Sequence, residues 1–282
     1  MQNTRETIKK YNIQLTKSLG QNFLTDFNVV KKIVNTADVG QEDVVIEVGP
    51  GIGTMTLELA KRAKKVIAIE IDKRLIPALE DNLSGFSNVQ IINMDIMKAD
   101  INAITSEYDS SNIKVVANLP YYITTPIIMK FLEEDTKADM MVFMIQKEVA
   151  RRIVAGPGTK DYGALSVAVQ YYSKPEKAFD VPPHCFIPQP DVDSAVIKLI
   201  INKEPPVKLL DKGMFFKTVK CSFAQRRKTL INALYNTGGL NKSKEEIKEI
   251  LKSMGVDENT RGEMLSIQQF AMLSNLLYES SL

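Results

Sequence analysis

Four residues, Asn118-Leu119-Pro120-Tyr121, have types and an order that suit one reaction. The exocyclic amino nitrogen of adenine is a poor nucleophile because its lone pair is delocalised into the ring. It needs acceptors that draw its two hydrogens out of the ring plane. The Asn118 side-chain oxygen and a main-chain carbonyl near Leu119 or Pro120 can be those acceptors, and Pro120 has no N–H to compete. Tyr121 can stack on the face of an extruded base, as base-modifying enzymes require. No strong base is needed when the methyl donor is already activated, because the proton can leave after attack. Taken alone, the tetrapeptide also reads as a proline-terminated strand followed by an aromatic core residue.

The cluster Gly49-Pro50-Gly51-Ile52-Gly53 is a second chemical signal. A nucleotide-type ligand approaches backbone at the carboxyl edge of a parallel sheet, so the first strand-to-helix turn needs residues without a Cβ. A dinucleotide fold would place its third glycine at position 54, where this chain has Thr54, and a P-loop is excluded because no Gly-Lys-Ser/Thr follows. The Gly-x-Gly-x-Gly spacing is that of S-adenosyl-L-methionine sites. Glu70, 21 residues after Gly49, can accept hydrogen bonds from both hydroxyls of a ribose, and Asp95 can reach an adenine amino group. Either acid alone also reads as a solvated strand end; glycine, Glu and Asp on three consecutive strand ends argue for a ligand cleft. The two carboxylates do not pair as a glycosidase requires. Cys185, Cys221 and the lone His184 have no metal-ligand spacing, so no metal is expected and both thiols are read as reduced.

These residues need a sheet to hold them. Apolar, β-branched runs at 43–48, 66–69, 89–92, 113–117 and 140–145 alternate with helical spacing at 54–62, 74–83 and 126–134, which calls for a mostly parallel sheet covered on both faces. Prolines 175, 182, 183, 188 and 190 break the texture, and a last strand at 194–201 closes the sheet. Helical patterns at 214–222, 229–235, 242–254 and 266–278 follow the Pro205-Pro206 linker. The expected fold is therefore α/β and Rossmann-like, with an arm at 1–24, a main domain at 25–204 and a small helical domain at 205–282. A chain of 282 residues with 44% hydrophobic and 25% charged residues fits such a soluble protein. The longest purely apolar run, 140–145, is far short of a membrane span, so the expected location is the cytoplasm, with no membrane partner.

In the motifs Lys17-Ser18-Leu19-Gly20-Gln21-Asn22-Phe23-Leu24, Glu47-Val48-Gly49-Pro50-Gly51-Ile52-Gly53, Asn118-Leu119-Pro120-Tyr121-Tyr122-Ile123-Thr124-Thr125-Pro126, Phe186-Ile187-Pro188-Gln189-Pro190-Asp191-Val192-Asp193-Ser194 and Phe223-Ala224-Gln225-Arg226-Arg227-Lys228-Thr229-Leu230, the chain resembles the KsgA (RsmA) family. Members are small-subunit ribosomal RNA adenine N6-dimethyltransferases, class I S-adenosylmethionine-dependent enzymes related to the Erm resistance methyltransferases. The resemblance implies dimethylation of two adjacent adenines in the hairpin near the 3′ end of 16S rRNA during small-subunit biogenesis, by a monomer. It implies cofactor contacts at Asn22, Leu24, Gly49, Glu70, Asp95 and Asn118, and a base pocket shaped by Asn118 and Tyr121. Phe186 is implied as a second stacking face, or reads as core packing at a proline-rich loop.

The net charge of +2 says little about partners, but its distribution says more. Between Lys198 and Lys228 nine basic residues, including Lys220, Arg226, Arg227 and Lys228, face only Glu204 and Asp211, a local +7 that leaves the remainder acidic by five. Such a stripe can neutralise RNA phosphates, or be a solvated face. Lys9, Lys10 and Lys17 beside Tyr11 can add to the track, or read as a basic arm without function. The nearest rival reading is an Erm-type methyltransferase of 23S rRNA, against which Gln225-Arg226-Arg227-Lys228 and Asp191-Val192-Asp193-Ser194 weigh. DNA adenine and protein glutamine methyltransferases more often carry two prolines in the tetrapeptide. A non-catalytic ribosome-assembly RNA-binding factor is the alternative from another class; the intact glycine turn, Glu70 and Asn118 argue against it.

Overall fold

The computed structural model describes residues 4–13, 20–108, 112–134 and 136–280. Lys17, Ser18 and Leu19 of the first motif lie outside them. The chain divides into two compact units, residues 1–150 with 175–201, and residues 151–174 with 202–282. The helical unit thus takes in 151–174, a stretch that the sequence reading assigns to the main domain.

In the first unit, helix α1 (Thr4–Lys10), strand β1 (Phe23–Leu24) and helix α2 (Phe27–Thr36) precede the sheet. Asp26 starts α2 by accepting from the Asn28 and Val29 amides, and Val30, Ile33 and Val34 form its buried stripe. The alternation that follows is β2 (Val44–Val48), α3 (Thr54–Ala60), β3 (Lys65–Glu70), α4 (Ile76–Leu83), β4 (Val89–Asn93), α5 (Ile101–Ile104), β5 (Ile113–Asn118), α6 (Thr124–Glu133) and β6 (Ala138–Gln146). Every residue of β2 is buried, as a central strand covered on both faces demands. Helices α7 (Lys147–Val154) and α8 (Ala164–Tyr172) occupy a stretch to which the sequence reading assigns no element. They lead to β7 (Ser173–Val181), β8 (Phe186–Ile187) and β9 (Ser194–Ile201).

The seven-stranded sheet has the order β4-β3-β2-β5-β6-β9-β7; β4 to β6 pair in parallel and β9 runs antiparallel to β6. Strand order reverses at β2, so the crevice for a ligand opens between the carboxyl ends of β2 and β5. β4 and β7 are the edge strands, and β7 contains Pro175, which removes one ladder donor and is tolerated at an edge. Strands β1 and β8 form a separate antiparallel pair, Phe23 opposite Ile187 and Leu24 opposite Phe186.

In the second unit α9 (Lys212–Ala224), α10 (Leu230–Asn236), α11 (Lys244–Ser253) and α12 (Ile267–Glu279) join α8 around Tyr162, Phe215, Leu230, Leu234, Leu251 and Phe270. Ser243 with Glu246 and Ser266 with Gln269 form capping boxes that start α11 and α12. Among the described residues no helix is long and apolar enough to cross a membrane, and no group of three His, Cys, Asp or Glu side chains is placed to hold a metal.

Candidate active site

The turn after β2 is held from beneath by Glu70, the last residue of β3. Its Oε2 accepts from the Gly51 amide at 2.9 Å and its Oε1 from the Asp72 amide at 2.8 Å. Each oxygen keeps a further lone pair for a ligand. Burial pushes the Glu70 carboxyl above the usual carboxylate range, and the two amides oppose that shift. Gly49 and Gly51 both adopt left-handed backbone, φ 67° and 61°. Their surroundings differ: a Cβ on Gly49 would meet nothing within 4 Å, whereas one on Gly51 would sit 2.8 Å from Cε1 of Phe23. Gly49 therefore fronts open cleft.

Residues 20–24 bridge the strands on either side of β2. Gln21 Nε2 donates to Asp72 Oδ2 at 2.8 Å beyond β3, and the Asn22 carbonyl accepts from Asn118 Nδ2 at 3.0 Å at the end of β5. That second bond has a chemical consequence, since committing the amide nitrogen of Asn118 to Asn22 leaves Oδ1 as its acceptor. The structure also separates the two carbonyls left open by the sequence. Pro120 O already accepts from Thr124 Oγ1 and the Ile123 amide, while Leu119 O accepts no hydrogen bond among the described residues. The Tyr121 hydroxyl lies 2.6 Å from Ser194 Oγ, and burial raises its pKa.

Asn22, Leu24, Gly49, Glu70, Asn118 and Tyr121 all line this cleft. Two residues anticipated for it do not. Phe186 is 1% exposed and packs in the core with Leu24, Val30, Ile33 and Cys185, because its pairing with Leu24 in the β1–β8 ladder places it beneath the bridging segment. It offers no stacking face. Asp95 stands two residues past β4 and caps the turn 96–98 through the Met97 amide, 2.9 Å from Oδ1. Its other oxygen accepts no bond among the described residues, but the residue is absent from the cleft wall.

Glu47 lines the cleft without having been assigned a role from the sequence. It is 1% exposed, its Oε2 has no hydrogen-bond partner, and burial lifts its pKa to about 8 despite the Thr56 hydroxyl, with the Glu70 charge adding to the rise. A buried carboxylate without a cation is costly, so the group is held neutral until a positive charge arrives. The folded state binds the extra proton between pH 4.5, the ordinary value, and about 8, so this group's contribution makes stability fall as pH rises through that window. Glu47→Gln should melt several degrees above the ligand-free wild type near pH 8.5 and within about a degree of it near pH 5. Parallel melting curves across that range would show that Glu47 is solvated.

The basic residues separate into two kinds. Lys220, Arg227 and Lys228 are exposed and have no side-chain partner among the described residues. Arg226 is engaged: its Nη2 donates to the Lys160 carbonyl at 2.7 Å and the Tyr162 carbonyl at 3.0 Å, with Glu263 at 3.5 Å. This arginine braces its own unit, contrary to the expectation of a free phosphate contact. Arg226→Ala should lower stability by no more than about 1 kcal/mol, chiefly through the partly buried Tyr162 carbonyl, since water can reach the exposed Lys160 carbonyl. Lys10 is likewise committed, to Asp81 at 2.7 Å.

Comparison with known proteins places the chain. A family model described as ribosomal RNA adenine dimethylase matches residues 12–276. The ribosomal RNA small subunit methyltransferase A of Clostridioides difficile (strain 630) is 54% identical over 97% of this chain and 94% of its own; that of Geobacillus sp. (strain WCH70) is 54% identical over 97% and 95%. The crystal structure of a dimethyladenosine transferase from Plasmodium falciparum superposes with a TM-score of 0.76 at 27% identity, covering 89% of this chain and 95% of that one. The 23S rRNA methyltransferase ErmE gives 0.68 at 28% identity, covering 91% and 100%. A sheet with its order reversed at β2, a glycine turn braced by a strand-end glutamate, an oriented Asn118 amide and matches along nearly the whole chain lead to one conclusion: this chain belongs to the ribosomal RNA adenine dimethylase family.

Proposed function

We propose that the protein transfers methyl groups from S-adenosyl-L-methionine to N6 of two adjacent adenines in the hairpin near the 3′ end of 16S rRNA, late in small-subunit assembly in the cytoplasm. The observation that carries the reading is the pair of free acceptors, Asn118 Oδ1 and Leu119 O, at the carboxyl end of β5 on the cleft that Gly49 and Glu70 front. The cleft fits the donor. Gly49 leaves space that a side chain would fill, Glu70 offers acceptors for ribose hydroxyls, and the unpartnered Glu47 oxygen suits a cationic group. Asn22 and Leu24 complete the wall. S-adenosylmethionine, when bound, supplies a methyl group already activated on a sulfonium.

The protein's own part is to bind and orient. In the first transfer Asn118 Oδ1 and Leu119 O accept the two N6 hydrogens, in the second one of them accepts the hydrogen that remains, and each time the lone pair is pulled out of conjugation with the ring. Tyr121 offers its face to the extruded base and keeps water from it. The proton leaves after attack, so no residue need act as a strong base. All of these groups come from one chain, which supports action as a monomer. The substrate assignment to the small subunit rests on relatives at 54% identity, against 28% for ErmE.

Labelled S-adenosylmethionine offered with undermethylated small subunits, large subunits and DNA tests the reading. Label should enter two adjacent adenines of 16S rRNA; label in large subunits would replace this reading by an Erm-type one. For the RNA track, Arg227→Glu with Lys228→Glu should weaken rRNA binding about tenfold at low salt, and less as salt rises, with the melting temperature unchanged. Equal affinity at all salt concentrations would remove both residues from the interface.

A further inference from the structure

Ser194 is fully buried at the first position of β9, opposite Gln146 in the β6–β9 ladder. Its backbone is therefore part of the rigid sheet. The same sheet fixes the start of the tetrapeptide, since Asn118 lies opposite Met144 of β6 and the Leu119 amide donates to the Met144 carbonyl at 3.1 Å. Across this frame the Ser194 hydroxyl meets the Tyr121 hydroxyl at 2.6 Å. A second tie secures the residue before it. The Lys147 amide donates to the Asp193 carbonyl at 3.0 Å, and Lys147 Nζ pairs with Asp193 Oδ2 at 3.2 Å and Asp180 Oδ2 at 3.3 Å. An exposed ion pair of this kind contributes little to stability, of order 0–1 kcal/mol, so its value lies in the register it imposes.

We infer that Ser194 is a positioning residue for the target-base site, setting the tilt and plane of the Tyr121 ring. The hydrogen bond fixes where the far end of the ring sits. Either hydroxyl can donate, and because the phenolic O–H and the acceptor direction of the phenolic oxygen both lie close to the ring plane, the same bond also favours one rotation of that plane. Tyr121 is partly buried in the cleft wall, and its ring has no stacked aromatic neighbour among the described residues, so the hydroxyl supplies an orientation that ring stacking does not. The target adenine must present N6 to Asn118 Oδ1 and Leu119 O at once, and a misplacement of an ångström is enough to slow such a reaction substantially. This role rests on the proposed function, in which Tyr121 faces the base.

The test compares wild type, Ser194→Ala, Tyr121→Phe and the double variant on undermethylated small subunits. One neutral hydrogen bond corresponds to about a five- to tenfold effect. Each single variant should lose that factor in kcat with KM for the subunit and affinity for S-adenosylmethionine nearly unchanged and the melting temperature lower by only a few degrees, the effect of one buried hydroxyl left unpaired, and the double variant should be no slower than either. Losses that multiply in the double variant, or wild-type kcat in either single one, would overturn the assignment. Should Ser194→Ala not fold, Tyr121→Phe removes the same bond from its other end, and wild-type kcat there overturns it equally. Wild-type turnover on small subunits is the separate check on the function, so failure of that reading shows in the control and failure of the Ser194 role in the ratios.

Discussion

Asn118→Ala should slow methyl transfer by at least about 100-fold, the cost of removing one preorganised polar group from a transition state, while rRNA affinity stays within about twofold. The two expectations come from different parts of the molecule. In the proposed function RNA affinity is assigned to basic residues such as Lys220, Arg227 and Lys228, which lie outside the cleft lining. Turnover, in the same proposal, is assigned to Asn118 Oδ1 acting with Leu119 O on N6. The variant also leaves the Asn22 carbonyl without its 3.0 Å donor, at about 1 kcal/mol, too little to unfold the unit. Asn118→Asp sharpens the test, because it keeps an acceptor but sets a carboxylate oxygen against the Asn22 carbonyl. It should fall between alanine and wild type in methyl incorporation. Full turnover by the alanine variant, measured with labelled donor and small subunits, would sink the mechanism.

The strand ends were legible in the sequence because period and burial agree there. The runs at 66–69 and 113–117 become strands that end on Glu70 and Asn118, so each chemical group stands where a parallel sheet presents its ligand face. What escaped depends on contacts distant along the chain. The β1–β8 pair joins two residues to two others more than 160 positions away, too short for any periodicity, and it alone turns Phe186 into the core. The brace made by Arg226 requires carbonyls of Lys160 and Tyr162, which a count of charges cannot see. Glu47 sits in a strand buried along its whole length, and only the missing partner of its Oε2 separates a ligand group from a structural acid. The boundary after 150 was hidden because α7 continues across it without a proline or glycine signal.

The two glycines of the turn should respond differently to the same added methyl group. Both have left-handed backbone, so alanine costs about 1–2 kcal/mol at either from conformation alone. At Gly51 the Cβ would also press on Phe23 at 2.8 Å, and Phe23 packs with Ile52, Leu75 and Ala78 beside the bridging segment. Neither Phe23, pinned by the β1–β8 ladder, nor the Gly51 amide, which holds Glu70, can shift without disturbing the other. Gly51→Ala should therefore lose both melting temperature and donor affinity. At Gly49 no protein atom opposes the Cβ within 4 Å, so the methyl group enters only open cleft, the space proposed for the donor. Gly49→Ala should lose most of its affinity for S-adenosylmethionine, at least about tenfold, for a fall in stability no greater than the conformational cost. Calorimetric titration with S-adenosylmethionine beside thermal melts distinguishes the two patterns. Undiminished affinity in Gly49→Ala would mean that the donor does not pass over this turn, and the cleft would have to be filled from the Glu47 side alone.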